Sequence, residues 1–292
     1  MTKPRYITTF AGCGGSSQGY KDAGYEGVLA TDWDKDAETI YRANFPETPF
    51  IRADITKFTG EQILAKTGLE KGELDVLDGS PPCQGFSMIG KREVLDERND
   101  LFTHYIRLLR TIKPKVFIGE NVAGMIRGRM KFVFGRIFKE MQNSGYRVRA
   151  RLMDAQNYQV PQRRQRVIFI GIREDLQGDP TYPKPIMPKK TLQRLDYSER
   201  PCPRFQYNKW NTMLVRPGMI CYTVTTQSHF YWADDQREMG IKSYAYAQGF
   251  PEDFKWPLTF QKNLKAIGNA VPPPMMKAIA EHVRETLLEI NQ

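Results

Sequence analysis

Cysteine and histidine are scarce in this chain, with four Cys (Cys13, Cys83, Cys202, Cys221) and three His (His104, His229, His282) among 292 residues. No two cysteines form a CxxC pair, so neither a disulfide framework nor a zinc site is expected, and no metal is assigned. Long apolar runs are also missing. Nothing approaches the ~18 residues of a membrane span. The opening Met1-Thr2-Lys3-Pro4-Arg5 leads into one short apolar stretch, without the longer run and cleavage pattern of a secretory signal. These absences exclude secreted disulfide scaffolds and membrane proteins, and lead to the expectation of a reduced, cytoplasmic protein. Internal repeats and low-complexity tails are absent as well.

What is present is basic and aromatic. Lys and Arg number 43 against 33 Asp and Glu, a formal charge of +10. An excess of this size points to a polyanionic partner, although many basic enzymes bind none. Sixteen Phe, 14 Tyr and four Trp in a chain 40% apolar supply enough mass for a large core. The length suggests two lobes.

Through residue 172, short apolar runs alternate with helical patterns. Strands are expected at Tyr6–Phe10, Val28–Thr31, Leu74–Leu77, Lys115–Gly119 and Arg166–Ile172. Helices are expected at Ser16–Ala23, Asp36–Phe45, Asn99–Ile112 and Phe132–Met141. This alternation argues for an α/β fold with a mostly parallel, doubly wound sheet, whose ligands sit at the carboxyl ends of strands. From Arg173 to Ile220 the pattern breaks: seven prolines, nine Lys or Arg and five aromatics leave no helical period. A small loop-rich lobe or insert is expected there. Helical spacing returns over Met275–Ile290.

Four segments carry candidate chemistry. Phe10-Ala11-Gly12-Cys13-Gly14-Gly15-Ser16 is a glycine turn between a strand and a helix, where backbone can approach a ligand closely. It matches neither the dinucleotide fingerprint, because Ser17 stands at the third glycine, nor a phosphate loop. Asp32 follows the next strand and can reach a ribose hydroxyl, Trp33 can stack on adenine, and Asp54 can reach its amino group. A strand–helix turn, an N-cap and a core tryptophan explain the same residues equally well one by one; together they fit an adenosine cofactor without a pyrophosphate clamp. The second segment, Asp78-Gly79-Ser80-Pro81-Pro82-Cys83-Gln84-Gly85-Phe86-Ser87, puts a cysteine on a Pro-Pro ledge past a strand. A buried small hydrophobe and a nucleophile are both open there. Glu120-Asn121-Val122 follows a strand, where a carboxylate is also an ordinary helix N-cap. In Pro161-Gln162-Arg163-Arg164-Gln165-Arg166, Arg164 and Arg166 share a face if the segment is extended, and a solvated face is the plainer reading.

In this order, together with Gln248-Gly249-Phe250-Pro251 and Ile267-Gly268-Asn269-Ala270-Val271-Pro272, these motifs closely resemble the cytosine-C5 DNA methyltransferase family of bacterial and phage type. The run Asp96-Glu97-Arg98-Asn99-Asp100-Leu101-Phe102 also looks like the family's. The match spans almost the whole chain and leaves about Arg173–Ile220 without a counterpart, where the family places its variable recognition region.

The resemblance implies a Rossmann-like sheet dependent on S-adenosyl-L-methionine (AdoMet). It divides the chain into a catalytic lobe over 1–172, a target recognition region over 173–236, and a segment over 237–292 returning to the catalytic lobe. AdoMet would be held by Phe10, Ala11, Gly12, Cys13, Gly14, Gly15, Asp32, Trp33, Asp54, Ile55, Ser80, Pro82, Leu101, Asn269, Ala270 and Val271, and would leave as S-adenosyl-L-homocysteine. Asp32 stands where glutamate is commoner, one methylene shorter. Cys83 would be the nucleophile, Glu120 would meet the cytosine N3 edge, Arg166 would contact the base and Arg164 support the loop.

The implied partner is double-stranded DNA, touched by Gln84, Ser87, Lys91, Arg92, Arg200, Arg204 and Arg216. A cognate restriction endonuclease sharing the site without a stable complex fits this reading, and a monomer is expected. Two alternatives stay open. A tRNA-acting branch of the family carries a Cys-Phe-Thr signature, near which Cys221-Tyr222-Thr223 falls. A catalytically idle regulator would bind nucleic acid, although such proteins typically lose the Cys83 or Glu120 position.

Overall fold

The computed structural model describes residues 2–82, 101–128, 130–195 and 212–291. A seven-stranded sheet forms from β1 (Arg5–Thr9), β2 (Glu26–Asp32), β3 (Phe50–Arg52), β4 (Val76–Gly79), β5 (Val116–Val122), β6 (Tyr146–Asp154) and β7 (Gln165–Arg173). Its spatial order is β3-β2-β1-β4-β5-β7-β6, parallel through β5, with β7 antiparallel to both of its neighbours. The order reverses between β1 and β4, so the glycine turn after β1 and the Pro-Pro ledge after β4 flank a switch point.

Both faces of the sheet are covered, which is why its strands read as nearly continuous apolar runs. On one face Tyr6, Val76, Ile118 and Ile170 pack with Tyr20 of α1 (Gly15–Asp22) and with Met276 and Ile279 of α8 (Pro273–Val283). On the other, Ile7, Leu77, Phe117 and Phe169 meet α4 (Leu101–Ile112) and α5 (Met130–Gln142). A third cluster joins Cys13, Tyr41 and Phe45 to Trp232, Tyr244, Phe250 and Ile267, so the C-terminal part of the chain is packed onto the back of the glycine turn.

Local signals set the helix ends. The Asp34 carboxylate caps α2 (Lys35–Asn44) by accepting from Asp36 N at 2.8 Å. A Thr59/Gln62 capping box opens α3 (Gly60–Thr67), and Gly68 in left-handed conformation closes it. Pro273 starts α8, where its missing N–H costs nothing.

The expected strands and helices are present with ends shifted by one to three residues, the Asn99 end of the helix over Asn99–Ile112 lying outside the described residues. The helical spacing over Met275–Ile290 becomes α8 followed by a π-helical turn, Arg284–Leu288. The reading passed over α3, α6 (Ile241–Gln248), α7 (Phe260–Asn269) and, most consequentially, β6. That edge strand carries Arg147, Arg149 and Arg151 at alternate positions, a pattern that looks solvated because it is so on one side. Glu120 is not a helix cap: β5 continues through it to Val122, and the following 3₁₀ turn starts at Ala123.

Residues 173–186 lie against the catalytic lobe. Arg147 donates to the carbonyls of Glu174, Leu176 and Gly178. Tyr158 and Tyr182 hydroxyls bind Pro183 O and Ile168 O. Beyond them a small parallel pair, β8 (Thr212–Val215) and β9 (His229–Trp232), forms a second sheet. Arg194 bridges towards it by pairing with Asp234 and Asp235. Among the described residues no helix is long and apolar enough to cross a membrane.

Candidate active site

The register of the sheet builds a polar row at its carboxyl end. Thr8 pairs with Asp78, Asp78 with Ile118, and Glu120 stands two residues beyond Ile118 on the same side. Across β5 and β7, Val122 faces Arg166, which brings Arg166 to that side as well. Its Nε donates to Glu120 Oε1 at 2.8 Å, with both side chains close to nine-tenths buried. On the opposite face Asn121 Nδ2 donates to Pro81 O at 2.8 Å. The Glu-Asn-Val strand end therefore holds the ledge two residues before Cys83, which itself lies outside the described residues.

The Gln-x-Arg-x-Arg segment serves two ends. Gln162, wholly buried, donates to Ala247 O and Gln248 Oε1 and accepts from Val224 N. Arg164 is 2% exposed. Its guanidinium donates to Val224 O (2.8 Å), Gly268 O (2.8 Å) and Ala270 O (3.0 Å). Burial and then the neighbouring Arg166 pull its pKa down to about 9, opposed by Glu120, so it remains charged at neutral pH. Arg164 thus fastens three distant backbone segments, while Arg166 faces the carboxylate.

The glycine turn is drawn tight from several sides. Ala11 N bonds Thr31 O, and Gly12 N bonds Asp32 Oδ2 at 2.9 Å. Phe10 takes φ +56°, an uncommon conformation for a non-glycine residue. Gly12 (φ +54°) has nothing within 4 Å of where a Cβ would stand, so its outer face is open. Gly15 is the reverse case: a Cβ there would lie 2.2 Å from Val271 O. Gly15 therefore lets the Asn269–Val271 segment close onto the turn.

Around this turn Trp33 is 76% exposed, an unusual position for so large a ring. Burial raises the Asp32 carboxyl, opposed by the N–H groups of Asp34, Gly12 and Trp33. Asp54 lies near the surface, its carboxyl lowered chiefly by the Thr56 hydroxyl and N–H. Ser80 and Leu101 are half-buried, and Pro82 and Asn269 exposed. Gly14 and Ala270 are buried.

Two expectations change here. The Cys13 side chain is turned into the core, its Sγ 3.5 Å from Ala266 O, and burial pushes the thiol up to about 12; only its backbone belongs to the turn. Ile55 is buried, and its carbonyl is already bound by Arg107 at 2.7 Å. Arg216 is exposed in the turn after β8. Gln84, Ser87, Lys91, Arg92, Arg200 and Arg204 lie outside the described residues.

Cys221 is buried, and its backbone pairs with both Pro161 and Arg163. The Thr223 hydroxyl donates to Arg163 O. Burial and chain pairing hold Cys221 and Thr223, while Tyr222 is exposed. The sequence reading gave no role to Asp78, Asn121, Gln162 or Gln248, all of which the structure places in the polar row or its supports. Each stands inside one of the motifs named above, but nothing local in the sequence shows what it binds.

Solved structures share this architecture. A DNA modification methyltransferase encoded within an E. coli prophage superposes with a TM-score of 0.80 at 21% identity, over 97% of this chain and 99% of that one. The Dnmt2 methyltransferase of S. pombe gives 0.75 at 18% identity, over 97% and 99%. The fold is that of a methyltransferase with a Rossmann-like sheet.

The sequence comparison is narrower. The family model for C-5 cytosine-specific DNA methylase matches residues 5–213 and 195–285, and the chain belongs to that family. It is 31% identical to the Type II methyltransferase M.BsuFI of Bacillus subtilis, over 98% of this chain and 74% of that one. With M.NgoPII of Neisseria gonorrhoeae it is 30% identical over 97% and 96%. The 39% identity to M.XorII of Xanthomonas oryzae spans 63% of this chain and only 44% of that enzyme.

Proposed function

We propose that this protein transfers a methyl group from AdoMet to C5 of cytosine in a specific duplex DNA sequence. The observation that carries the reading is the Glu120–Arg166 pair at the carboxyl end of the sheet, beside the ledge that leads to Cys83.

Carbon 5 of cytosine is too weak a nucleophile to take a methyl group directly. Addition of the Cys83 thiolate to C6 makes the ring enamine-like, so that C5 becomes reactive. Loss of the C5 proton and of the thiolate then restores the ring. A free thiol near pKa 8.5 is only roughly 3% ionised at pH 7, and a cationic neighbour raises that fraction. Glu120 meets the N3 edge and holds the proton that collects there, with Arg166 fixing its orientation. Enzymes that methylate a base in duplex DNA take it out of the stack to reach it.

The open face of Gly12 and the bare Trp33 ring suit an adenosine group. AdoMet supplies the electrophilic methyl group. Trp33 stacks on the adenine. Each Asp32 oxygen, although engaged by Gly12 N or Asp34 N, keeps a second lone pair for a ribose hydroxyl. Asp54 faces the adenine amino group, and the Asn269–Val271 backbone closes the floor.

Residues 173–236 read the target, with the separable part beginning after the anchored stretch 173–186. Arg200, Arg204 and Arg216 are its candidate base or phosphate contacts. The Type II names of the relatives fit a companion restriction endonuclease acting on the same sequence. A cytoplasmic monomer completes the reading.

The test is transfer of labelled methyl from AdoMet to unmethylated duplex DNA and, in parallel, to unmodified tRNA, with Cys83→Ser as control. Label in DNA that disappears in the variant is expected. Label in tRNA alone overturns the substrate, and label in neither overturns the activity.

A further inference from the structure

One carboxyl group in the polar row has no part in the mechanism above. Asp78, at the end of β4, is 2% exposed in a position where the neighbouring residues of the sheet are mostly apolar. Its Oδ2 accepts from the Thr8 hydroxyl at 2.8 Å, and the Tyr20 hydroxyl reaches Oδ1 at 3.4 Å. Ser16, in the first turn of α1, also faces it. Its own carbonyl accepts from the Thr9 hydroxyl at 3.0 Å. Asp78 thus bonds both the strand that precedes the glycine turn and the helix that follows it. In the chain it is followed by Gly79 and then by the ledge Ser80–Pro82.

Burying a carboxyl group costs free energy that an apolar residue would not incur. Hydroxyls can fasten a strand to a helix without one, so the placement calls for something a carboxyl group does and a neutral side chain does not. The facing groups supply the candidate. From β1 come Thr8 and Tyr6, from α1 Ser16 and Tyr20, from α4 Tyr105, and from β5 Glu120. Glu120 is an acid on the same side of the sheet, one step along the row and itself paired with Arg166.

We propose, building on the methyl-transfer reading, that Asp78 is a positioning residue: through its proton it couples the glycine turn to the Glu120–Arg166 pair and shapes how methyl transfer depends on pH. Protonated, Asp78 leaves Glu120 with Arg166 as its main charged neighbour. Ionised, it sets a second negative charge against Glu120 and draws the Thr8 and Ser16 hydroxyls onto itself. Burial holds the carboxyl up at about 7, with Thr8 and Ser16 pulling it down and Glu120 pushing it up. The switch therefore falls in the working range of the enzyme, and each state tightens a different end of the row.

Asp78→Asn keeps the size and most of the hydrogen bonding while removing the charge change. Single-turnover methyl transfer to duplex DNA, measured from pH 5.5 to 8.5 with saturating AdoMet, is expected to bend near pH 7 in the wild type. In the variant that bend is lost, so that the ratio of rates at its two ends differs by roughly threefold or more. Superimposable profiles overturn the proposal. A second arm needs no turnover: the ¹³C resonance of the Asp78 carboxyl is titrated in the wild type and in Glu120→Gln. A lower midpoint in the variant supports the coupling, and an unmoved midpoint overturns it even if the wild type transfers no methyl group. Absence of transfer from the wild type counts against the proposed function alone, which the second arm leaves separate.

Discussion

Arg164 and Arg166 stand two positions apart in one motif and have opposite surroundings. Around Arg164 every partner is a backbone carbonyl, drawn from residues 60 to 106 positions away along the chain. Around Arg166 the partners are the Glu120 carboxylate and the carbonyl of the adjacent Gln165. The first region is a clamp and the second an instrument. The contrast teaches that a charged residue in a functional motif can be needed for reasons unrelated to the reaction. Arg164 holds together the segments that Arg166 then uses.

The contrast can be broken most severely at the clamp. Arg164→Met takes the guanidinium donor from the buried carbonyls of Val224 and Gly268 and leaves Ala270 O to Gln248 Nε2 alone. A loss of about 3–5 kcal/mol in folding stability is expected. Thermal or urea denaturation reads it, and an unchanged melting temperature would sink the clamp assignment. At the instrument, Glu120→Gln keeps the shape and a hydrogen bond to Arg166. Methyl transfer should fall roughly 10²–10⁴-fold while the melting temperature moves by a few degrees at most. Equal losses of stability at both positions would erase the distinction.

Smaller effects test the cofactor turn. Gly15→Ala drives a methyl group to within 2.2 Å of Val271 O. A cost of about 1–3 kcal/mol is expected, together with weaker AdoMet binding by calorimetry. Trp33→Ala removes a ring that packs on little, so stability should change by no more than about 0.5 kcal/mol. AdoMet affinity should nevertheless drop about tenfold, the loss of one stacking partner. A Trp33 variant that unfolds, or one that binds normally, would show that the exposed ring has another purpose.

Much of this was legible in the residues. β1, β4, β5 and β7 announce themselves as short, mostly apolar runs because both faces of the sheet are covered. Glu120 and Arg166 were singled out from the same pattern, although Glu120 lies within the end of β5 and Arg166 within the start of β7. β6 was hidden because its Arg147, Arg149 and Arg151 stand at alternate positions on an edge strand. The clamp was hidden for another reason: Gln162, Arg164 and Gln248 act through partners far away in sequence, and local periodicity carries no trace of such pairing. Cys13 shows the complementary error. Its place in the glycine turn suggested contact with a ligand, but the turn's left-handed residues swing its side chain into the core. Asp78 was in plain view within a quoted motif and stayed mute until its register against Thr8 and Glu120 was known.

The close approach of Gly15 to Val271 has a consequence for the protein while it is being made. The ribosome delivers the glycine turn more than 250 positions ahead of the segment that supplies its floor. Until that late segment emerges, the strand–helix unit at the start has an unfilled groove in place of a binding surface. Contacts of such long sequence separation are slow to form. A nascent chain therefore has no closed glycine turn until the Asn269–Val271 segment docks.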